Sequence, residues 1–241
     1  ALSFSAQMNC CLPVDRAGRP LRPAMIWADQ RGEQEAAILT EALGLQWLYT
    51  RTGQVMNASC AIAKMAWFKG HEPEIFSQTH AFLQPKDYLV FKLTGKLQSD
   101  YSDASHLACL DLESLTWSEA VLEAAGIHPS LMPKLKTSTQ AAGHVTPAAA
   151  DACGLMAGTL VVTGGGDGSC SAAGAGVYTG GQSYCALGTS AWIAALSGKP
   201  LVDARRRTFN LLFLDGRQHL RLGAMQSAGL SIDWAMDNLF S

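Results

Sequence analysis

The chain has 241 residues, of which 48% are hydrophobic and 16% charged, so it can bury a sizeable core as one large domain or two modest ones. Its formal net charge of −2 provides no basic excess to neutralise phosphates, which argues against a general nucleic-acid-binding protein. No apolar run is long enough to span a membrane, and the first residues lack the basic and apolar regions of a signal peptide.

Seven cysteines are scattered along the chain without a Cys-x-x-Cys pair. Their odd number and irregular spacing predict neither a disulfide framework nor a zinc site. The six histidines show no metal-ligand spacing either, so we expect no metal-binding residues. Reduced and mostly buried thiols are typical of a cytoplasmic protein, which is the predicted location.

The first part of the chain alternates extended runs with turns. Residues 2–13 predict a strand with a polar interruption at 7–9, and the Gly-, Pro- and charge-rich residues 15–20 predict a hairpin turn. A helix is predicted over 31–43. Asp29, just before it, is interpreted either as the cap of that helix or as a partner of Arg31 in binding neighbouring hydroxyls, since one side chain accepts and the other donates.

Helical patterns dominate the middle of the chain. Helices are predicted over 61–69, 85–93, 118–125, 128–135 and 147–153, with Pro at the start and Gly after the end of several. The polar residues 100–105 predict either a loop near a ligand or an ordinary Asx-rich turn.

The most informative stretch is 159–190. An apolar strand at 160–162 leads into Gly164–Gly166, then Asp167 and a run of small residues that predicts a closely packed helix. A second strand, 183–187, ends in Gly188, Thr189 and Ser190, whose amides and hydroxyls suit phosphate oxygens. The glycines could also form a plain turn and Asp167 a helix cap, but together the two motifs indicate phosphoryl transfer.

The remaining residues predict a loop over 199–207, a hairpin over 209–222 and a helix over 230–239. Strand-rich ends around a helix-rich middle favour an α/β or α+β protein.

Several blocks in this order resemble the FGGY family of carbohydrate kinases, and within it most closely the xylulose kinases. Residues 5–9 (SAQMN) are similar to the family's S-G-Q-M-H segment and residues 26–31 (IWADQR) to its I-W-x-D-x-R segment. Lys64 and Trp67 match a K-x-x-W signature. Further blocks are PKDYL at 85–89, SDYSDAS at 99–105, GGGD at 164–167 and LGTS at 187–190.

The resemblance implies an α/β chain with the actin-like ATPase, ribonuclease H-like fold, in which two domains enclose a cleft. Residues 1–176 would then be most of the sugar-binding domain, and residues 177–241 the start of an incomplete ATP-binding domain. The family's amino-terminal phosphate loop and carboxy-terminal adenosine-binding stretch have no counterpart here, so the chain is expected to be an internal fragment.

The resemblance also assigns roles. Asp167 would be the general base, and Gln7, Met8, Asn9, Asp29 and Arg31 would lie at or near the sugar. The expected ATP-binding residues are Gly188, Thr189 and Ser190. The implied reaction is ATP- and Mg²⁺-dependent phosphorylation of a ketose, D-xylulose to D-xylulose 5-phosphate.

Two departures keep other acceptors open. Asn9 stands where xylulose kinases usually have His, and Gly168 where many members have Asn or Gln. The alternatives are a kinase for another sugar or polyol, of the ribulose, erythritol or gluconate type, and a sugar-binding fragment without catalysis. The expected partners are the sugar and ATP, with no nucleic acid and no membrane, and a homodimer is left open.

Overall fold

The computed structural model describes residues 1–225 and 227–240. Its helices and strands are mixed along the chain, as an α/β protein requires. The α-helices are α1 (Glu33–Leu43), α2 (Leu45–Thr52), α3 (Ala61–His71), α4 (Pro73–Gln78), α5 (Pro85–Thr94), α6 (Tyr101–Ala104), α7 (Glu119–Ala125), α8 (Pro147–Cys153), α9 (Asp167–Gly174) and α10 (Gly229–Leu239).

The strands are short in the first two thirds of the chain and longer in the last third. They are β1 (Ser5–Ala6), β2 (Leu12–Val14), β3 (Ala81–Leu83), β4 (Gln98–Asp100), β5 (Leu110–Asp111), β6 (Thr116–Trp117), β7 (Lys134–Lys136), β8 (Ala141–His144), β9 (Leu160–Val162), β10 (Gly165–Gly166), β11 (Ser183–Leu187), β12 (Ala191–Ser197), β13 (Phe209–Leu212) and β14 (His219–Met225). Strands β11 to β14 form an antiparallel sheet in the order β11-β12-β14-β13.

Two strand pairs are parallel and join distant parts of the chain. Strand β1 pairs with β10, with Ser5 opposite Gly165 and Ala6 opposite Gly166. Strand β4 pairs with β7. Parallel pairing places the carboxyl ends of both strands at the same edge, so the residues that follow β1 and β10 lie side by side.

Two hydrophobic clusters organise the packing. The larger is built on α1, α3 and α7 and includes the fully buried Ile62, Met65 and Phe68 of α3. The second packs Met8 and Ala172 of α9 against the four-stranded sheet. The segment after β1 and helix α9 therefore share one core with that sheet.

Most predicted elements are confirmed, and the errors have identifiable causes. Residues 128–135 do not form a helix, because Pro133 within the segment removes a helical donor. They form instead a 3₁₀ turn at Pro129–Leu131 and the strand β7. Helix α1 begins at Glu33 after Gly32, and Asp29 is not its cap, because the Asp29 carboxylate pairs with Arg31.

The polar stretch at 100–105 is neither an exposed turn nor a surface loop. Asp100 caps α6 by accepting hydrogen bonds from the backbone N–H groups of Ser102 and Asp103, so the Asx-type interpretation is confirmed. Asp100, Ser102, Asp103 and Ser105 are all fully buried, however.

No helix in the described part of the chain is long and apolar enough to cross a membrane.

Gly164 gives a test of the close approach between β1 and β10. Its φ is +75°, and a Cβ there would lie 2.3 Å from the carbonyl oxygen of Phe4. We expect Gly164→Ala in the full-length protein to lower the free energy of unfolding in urea by roughly 2 kcal/mol or more, because the new methyl group adds a clash to a strained backbone.

Gly174→Ala is the control, since Gly174 ends α9 and a Cβ there meets nothing within 4 Å. Its effect should stay within about 1 kcal/mol, on the stabilising side. Equal urea midpoints for the two variants would contradict the observed approach.

Candidate active site

The candidate active site forms where β1 and β10 end. Gln7, Met8 and Asn9 follow β1, and Asp167 follows β10 as the first residue of α9. Because the two strands are paired in parallel, the predicted sugar-side segment and the predicted base emerge at one edge. The structure thus brings Met8 next to the residue that precedes Asp167, although Met8 and Asp167 are more than 150 positions apart in the sequence.

With the Met8 side chain in its observed position, glycine is the residue that fits at position 166. A Cβ on Gly166 would lie 2.6 Å from the Sδ atom of the buried Met8. Real Cβ atoms essentially never come so close to a neighbour. The glycine run is therefore more than a plain turn, since it lets the two chain segments touch directly beside Asp167.

Asp167 is accessible to solvent, yet the surrounding protein partly desolvates its carboxylate. This desolvation raises the pKa of Asp167 above the usual aspartate value, against the opposing effect of the backbone N–H groups of Gly168 and of Asp167 itself. Gly166 occupies the cap position of α9, so the interpretation of Asp167 as a helix cap is wrong. An accessible carboxylate with a raised pKa can accept a proton from a bound hydroxyl.

Asn9 is buried with a left-handed backbone, at φ +56°. Its Oδ1 atom accepts a hydrogen bond of 3.3 Å from the N–H of Ala61 at the start of α3. No partner for the Nδ2 atom occurs among the described residues, so the amide is oriented with its donor group available.

Lys64 of α3 connects the two segments predicted to lie near the sugar. Its Nζ atom donates to the carbonyl oxygen of Asn9 at 2.8 Å and to that of Ile26 at 2.7 Å. The side chain is fully buried, and this desolvation lowers the pKa of Lys64. The lysine of the K-x-x-W signature therefore fixes backbone, holding residues 9 and 26 at one point.

Asp29 and Arg31 bind each other. The Arg31 Nε atom lies 3.0 Å from Oδ1 of Asp29 and its Nη2 atom lies 2.6 Å from Oδ2. This hydrogen bonding holds the pKa of Asp29 below its usual value. The Arg31 guanidinium also lies 4.9 Å from the ring centroid of Trp67, one turn after Lys64 on α3. Helix α3 thus supports both sugar-side segments.

Gln7 is exposed, and its side chain makes no hydrogen bond within residues 1–225 and 227–240. It lies beside Met8 but is not fixed. Of the predicted sugar residues, Met8 is the one that packs against the backbone beside Asp167, and Asn9 follows it directly in the chain.

Gly188, Thr189 and Ser190 form the turn between β11 and β12. The carbonyl oxygens of Gly188 and Thr189 accept hydrogen bonds from the backbone at the start of α10. The N–H groups of Thr189 and Ser190 have no hydrogen-bond acceptor in the described part of the chain, which leaves them suited to an anion.

The predicted phosphate turn belongs to a strand that packs on α9. The Tyr184 hydroxyl of β11 donates to the carbonyl oxygen of Gly168 at 3.1 Å. At about 3.3 Å per residue, the turn at Gly188 lies roughly 13 Å along the strand from Tyr184. The structure therefore links the turn to the helix of Asp167 without direct contact between the two.

A buried cluster of charged side chains lies next to the site, and the sequence analysis did not predict it. The Lys86 ammonium lies 2.9 Å from Asp100 and 3.4 Å from Asp103, and it also pairs with Asp87. All four side chains are essentially inaccessible. Burial lowers the pKa of Lys86, but the three carboxylates outweigh it and raise that pKa overall.

Three carboxylates face one ammonium in this dry site. Burial raises the pKa of Asp103 well above its usual value, and burial also raises the pKa of Asp87. The sequence predicted only a loop near a ligand or an Asx-rich turn at 100–105, and nothing local in it predicts that Lys86 meets Asp100 and Asp103.

The sequence analysis also did not predict the structural roles of Ser102 and Gln84. The Gly166 N–H donates to the Ser102 Oγ atom at 3.0 Å. The Gln84 side chain pairs with both backbone groups of Cys10, accepting from its N–H at 2.8 Å and donating to its carbonyl oxygen. Both contacts span more than 60 residues of sequence.

Within residues 1–225 and 227–240, no group of three or more His, Cys, Asp or Glu side chains could hold a metal ion.

Comparisons with known proteins identify the relatives of this chain. The model of the FGGY family of carbohydrate kinases, N-terminal domain, matches residues 1–174. The xylulose kinase of Escherichia coli (strain K12) is 36% identical over 236 residues, which are 98% of this chain and 48% of that protein. The gluconokinase of Bacillus subtilis (strain 168) is 31% identical over 241 residues, which are 100% of this chain and 47% of that protein.

Solved structures share the fold. The xylulose kinase from Rhodospirillum rubrum superimposes with a TM-score of 0.93 at 26% identity, over 98% of this chain and 48% of that one. The chain thus spans about half the length of the relatives it matches. With its mixed α/β content and these neighbours, it has the actin-like fold predicted from the sequence. The chain belongs to the FGGY family of carbohydrate kinases.

Proposed function

We propose that the protein containing this chain transfers the γ-phosphoryl group of ATP to a ketose, converting D-xylulose to D-xylulose 5-phosphate. One observation supports the proposal above the others: β1 and β10 pair in parallel, and Met8 after β1 packs against Gly166, the residue before Asp167. The identity of about a third to a xylulose kinase supports the choice of sugar.

In the proposed reaction Asp167 is the general base. Its carboxylate accepts the proton of the sugar hydroxyl while the hydroxyl oxygen forms a bond to the γ-phosphorus of ATP. The bond between that phosphorus and the bridging β–γ oxygen breaks, and ADP leaves. The accessible position of Asp167 and its raised pKa support this role.

The sugar would bind over the segment that Lys64 fixes. Asn9 offers an amide donor whose orientation is set by the Ala61 N–H. The Arg31 guanidinium already donates to both carboxylate oxygens of Asp29. We therefore propose that these two residues lie beside the sugar and make few direct hydrogen bonds to its hydroxyl groups.

ATP would reach the site from the four-stranded sheet. The N–H groups of Thr189 and Ser190 are the proposed phosphate donors, and Gly188 leaves room for close approach because it has no side chain. Mg²⁺ would arrive with the nucleotide and reduce the charge of its phosphates. We place the domain boundary at residue 176, two residues after α9 ends.

We further propose a cytoplasmic location, which the seven unpaired cysteines support. The alternative of a sugar-binding fragment without catalysis applies to the chain alone. The alternative acceptors are ribulose, erythritol and gluconate, and the similarity to a gluconokinase gives gluconate particular weight.

Replacing the base tests the proposal. In the full-length protein, Asp167→Asn should lower sugar-dependent ADP release by at least about 100-fold, because the amide cannot accept the proton. The measurement is a coupled ADP assay with ATP, Mg²⁺ and a panel of D-xylulose, ribulose, erythritol and gluconate.

The matched control is Asp151→Asn, since Asp151 is an exposed aspartate of α8. Its activity should equal that of the unmodified protein. Near-normal turnover by Asp167→Asn would refute the general-base role, and turnover on gluconate but not on D-xylulose would reassign the acceptor.

The raised pKa of Asp167 predicts the direction of the pH dependence. Desolvation favours the protonated acid, so the base form is lost at a higher pH than for an ordinary aspartate. We expect kcat/KM for the sugar to fall on acidification with an apparent pKa above 3.8, the usual value for aspartate. A pH–rate profile without an acid limb attributable to Asp167 would contradict this expectation.

Lys64 should control the affinity for the sugar. Lys64→Met keeps a stem of similar length but leaves the carbonyl groups of Asn9 and Ile26 without their donor. We expect KM for the sugar to rise about 10- to 100-fold, the equivalent of one or two charge-assisted hydrogen bonds. KM for ATP should remain unchanged.

Lys69→Met is the control on the same helix, because Lys69 is exposed. It should leave both KM values unchanged. An equal effect of the two variants on the sugar KM would show that Lys64 acts only through general stability.

A further inference from the structure

We infer that Ser102 is a positioning residue for the phosphoryl-transfer reaction: its hydroxyl holds the backbone N–H of Gly166 and thereby fixes Asp167. The inference rests on the proposed function, in which Asp167 is the base. Ser102 contacts neither substrate in this account and acts only through the backbone that precedes Asp167.

The contact is a long-range one in a dry environment. Ser102 lies on α6, fully buried, and its Oγ atom is 3.0 Å from the N atom of Gly166, 64 positions later in the chain. Gly166 is the cap residue of α9 and the immediate neighbour of Asp167. A Cβ on Gly165 would lie 3.1 Å from the same Oγ atom, which shows how closely α6 meets this strand.

The direction of the hydrogen bond follows from its partners. A serine hydroxyl carries one hydrogen and two lone pairs. Ser102 donates that hydrogen to Oδ2 of Asp100, which leaves a lone pair for the Gly166 N–H. The carboxylate therefore orients the hydroxyl as an acceptor toward Gly166.

Asp100 is itself held from several sides. Its Oδ2 atom also accepts from the N–H of Ser102 at 2.9 Å and from the Ser138 hydroxyl at 2.5 Å. Its Oδ1 atom lies 2.9 Å from the Lys86 ammonium. Removing any single one of these donors leaves the others in place, so the position of Asp100 is over-determined.

Gly166, in contrast, depends on one hydrogen bond, since no second acceptor for its N–H occurs in the described part of the chain. Its buried N–H has the Ser102 hydroxyl as its acceptor, and the loss of that acceptor would leave a buried donor unpaired. The backbone would then move to find another partner. Displacement of a catalytic group by about 1 Å can cost on the order of 100-fold in rate.

Ser102→Ala and Ser138→Ala form a matched pair for the test in the full-length protein. Each removes a buried serine hydroxyl from Oδ2 of Asp100, but only Ser102 contacts Gly166. We expect Ser102→Ala to lower kcat about 10- to 100-fold with the KM values for D-xylulose and ATP changed less than about twofold. Ser138→Ala should lower the melting temperature by a similar amount and leave kcat unchanged.

Ser102→Cys covers the case in which Ser102→Ala does not fold. The thiol fills nearly the same space but is a weak acceptor, so kcat should fall without a cavity. Equal kcat values for the Ser102 and Ser138 variants would overturn the inference. A loss in Ser102→Ala that lies in KM rather than kcat would overturn it as well.

Asp167→Asn separates this inference from the proposed function. If Asp167→Asn is inactive and Ser102→Ala has normal kcat, the base assignment stands and the positioning role fails. If Asp167→Asn remains active, the general-base assignment fails, and the positioning role of Ser102 fails with it; if the unmodified protein turns over none of the sugars, the proposed function itself fails.

Discussion

The site depends on the parallel pairing of two very short strands. Ser5 and Ala6 lie opposite Gly165 and Gly166, and this register alone sets Met8 against the residue that precedes Asp167. Two residue pairs contribute little stability by themselves. The contact persists because both strands continue into packed segments, Met8 and α9, which share a core with the four-stranded sheet.

Two buried lysines stabilise this arrangement, and their surroundings shift their pKa values in opposite directions. Lys64 meets only neutral carbonyl oxygens at hydrogen-bond distance, so desolvation prevails and its pKa falls. Lys86 is equally buried, but the carboxylates of Asp87, Asp100 and Asp103 surround it and its pKa rises. The first lysine joins the backbone of residues 9 and 26, and the second anchors the carboxylate that accepts the hydroxyl hydrogen of Ser102. A buried ammonium group thus fixes backbone directly in one case and through a serine in the other.

The sequence predicts local elements well and long-range contacts poorly, for a physical reason. Helices α5 and α8 were predicted almost to the residue, because Pro at the start and Gly in a left-handed cap are signals carried within the helix itself. Residue chemistry alone singled out Asp167 and the Asp29–Arg31 pair, and the family resemblance added Met8 and the roles of these residues. That Ser102 meets Gly166, however, depends on the packing of α6 against β10, and no residue near either position encodes it.

Position 9 shows which side chains the backbone of this loop favours. Its backbone is left-handed at φ +56°, a conformation that Asn, Asp and His adopt several times more often than other side chains. Asn9 stands where the xylulose kinases usually have His, so the replacement stays within the residues that the loop tolerates. Lys64 binds the main-chain oxygen of residue 9 and is indifferent to the side chain. The loop can therefore keep its shape when the side chain at position 9 changes from an imidazole to an amide; under the proposed function, this would change the group offered to the sugar without moving Asp167.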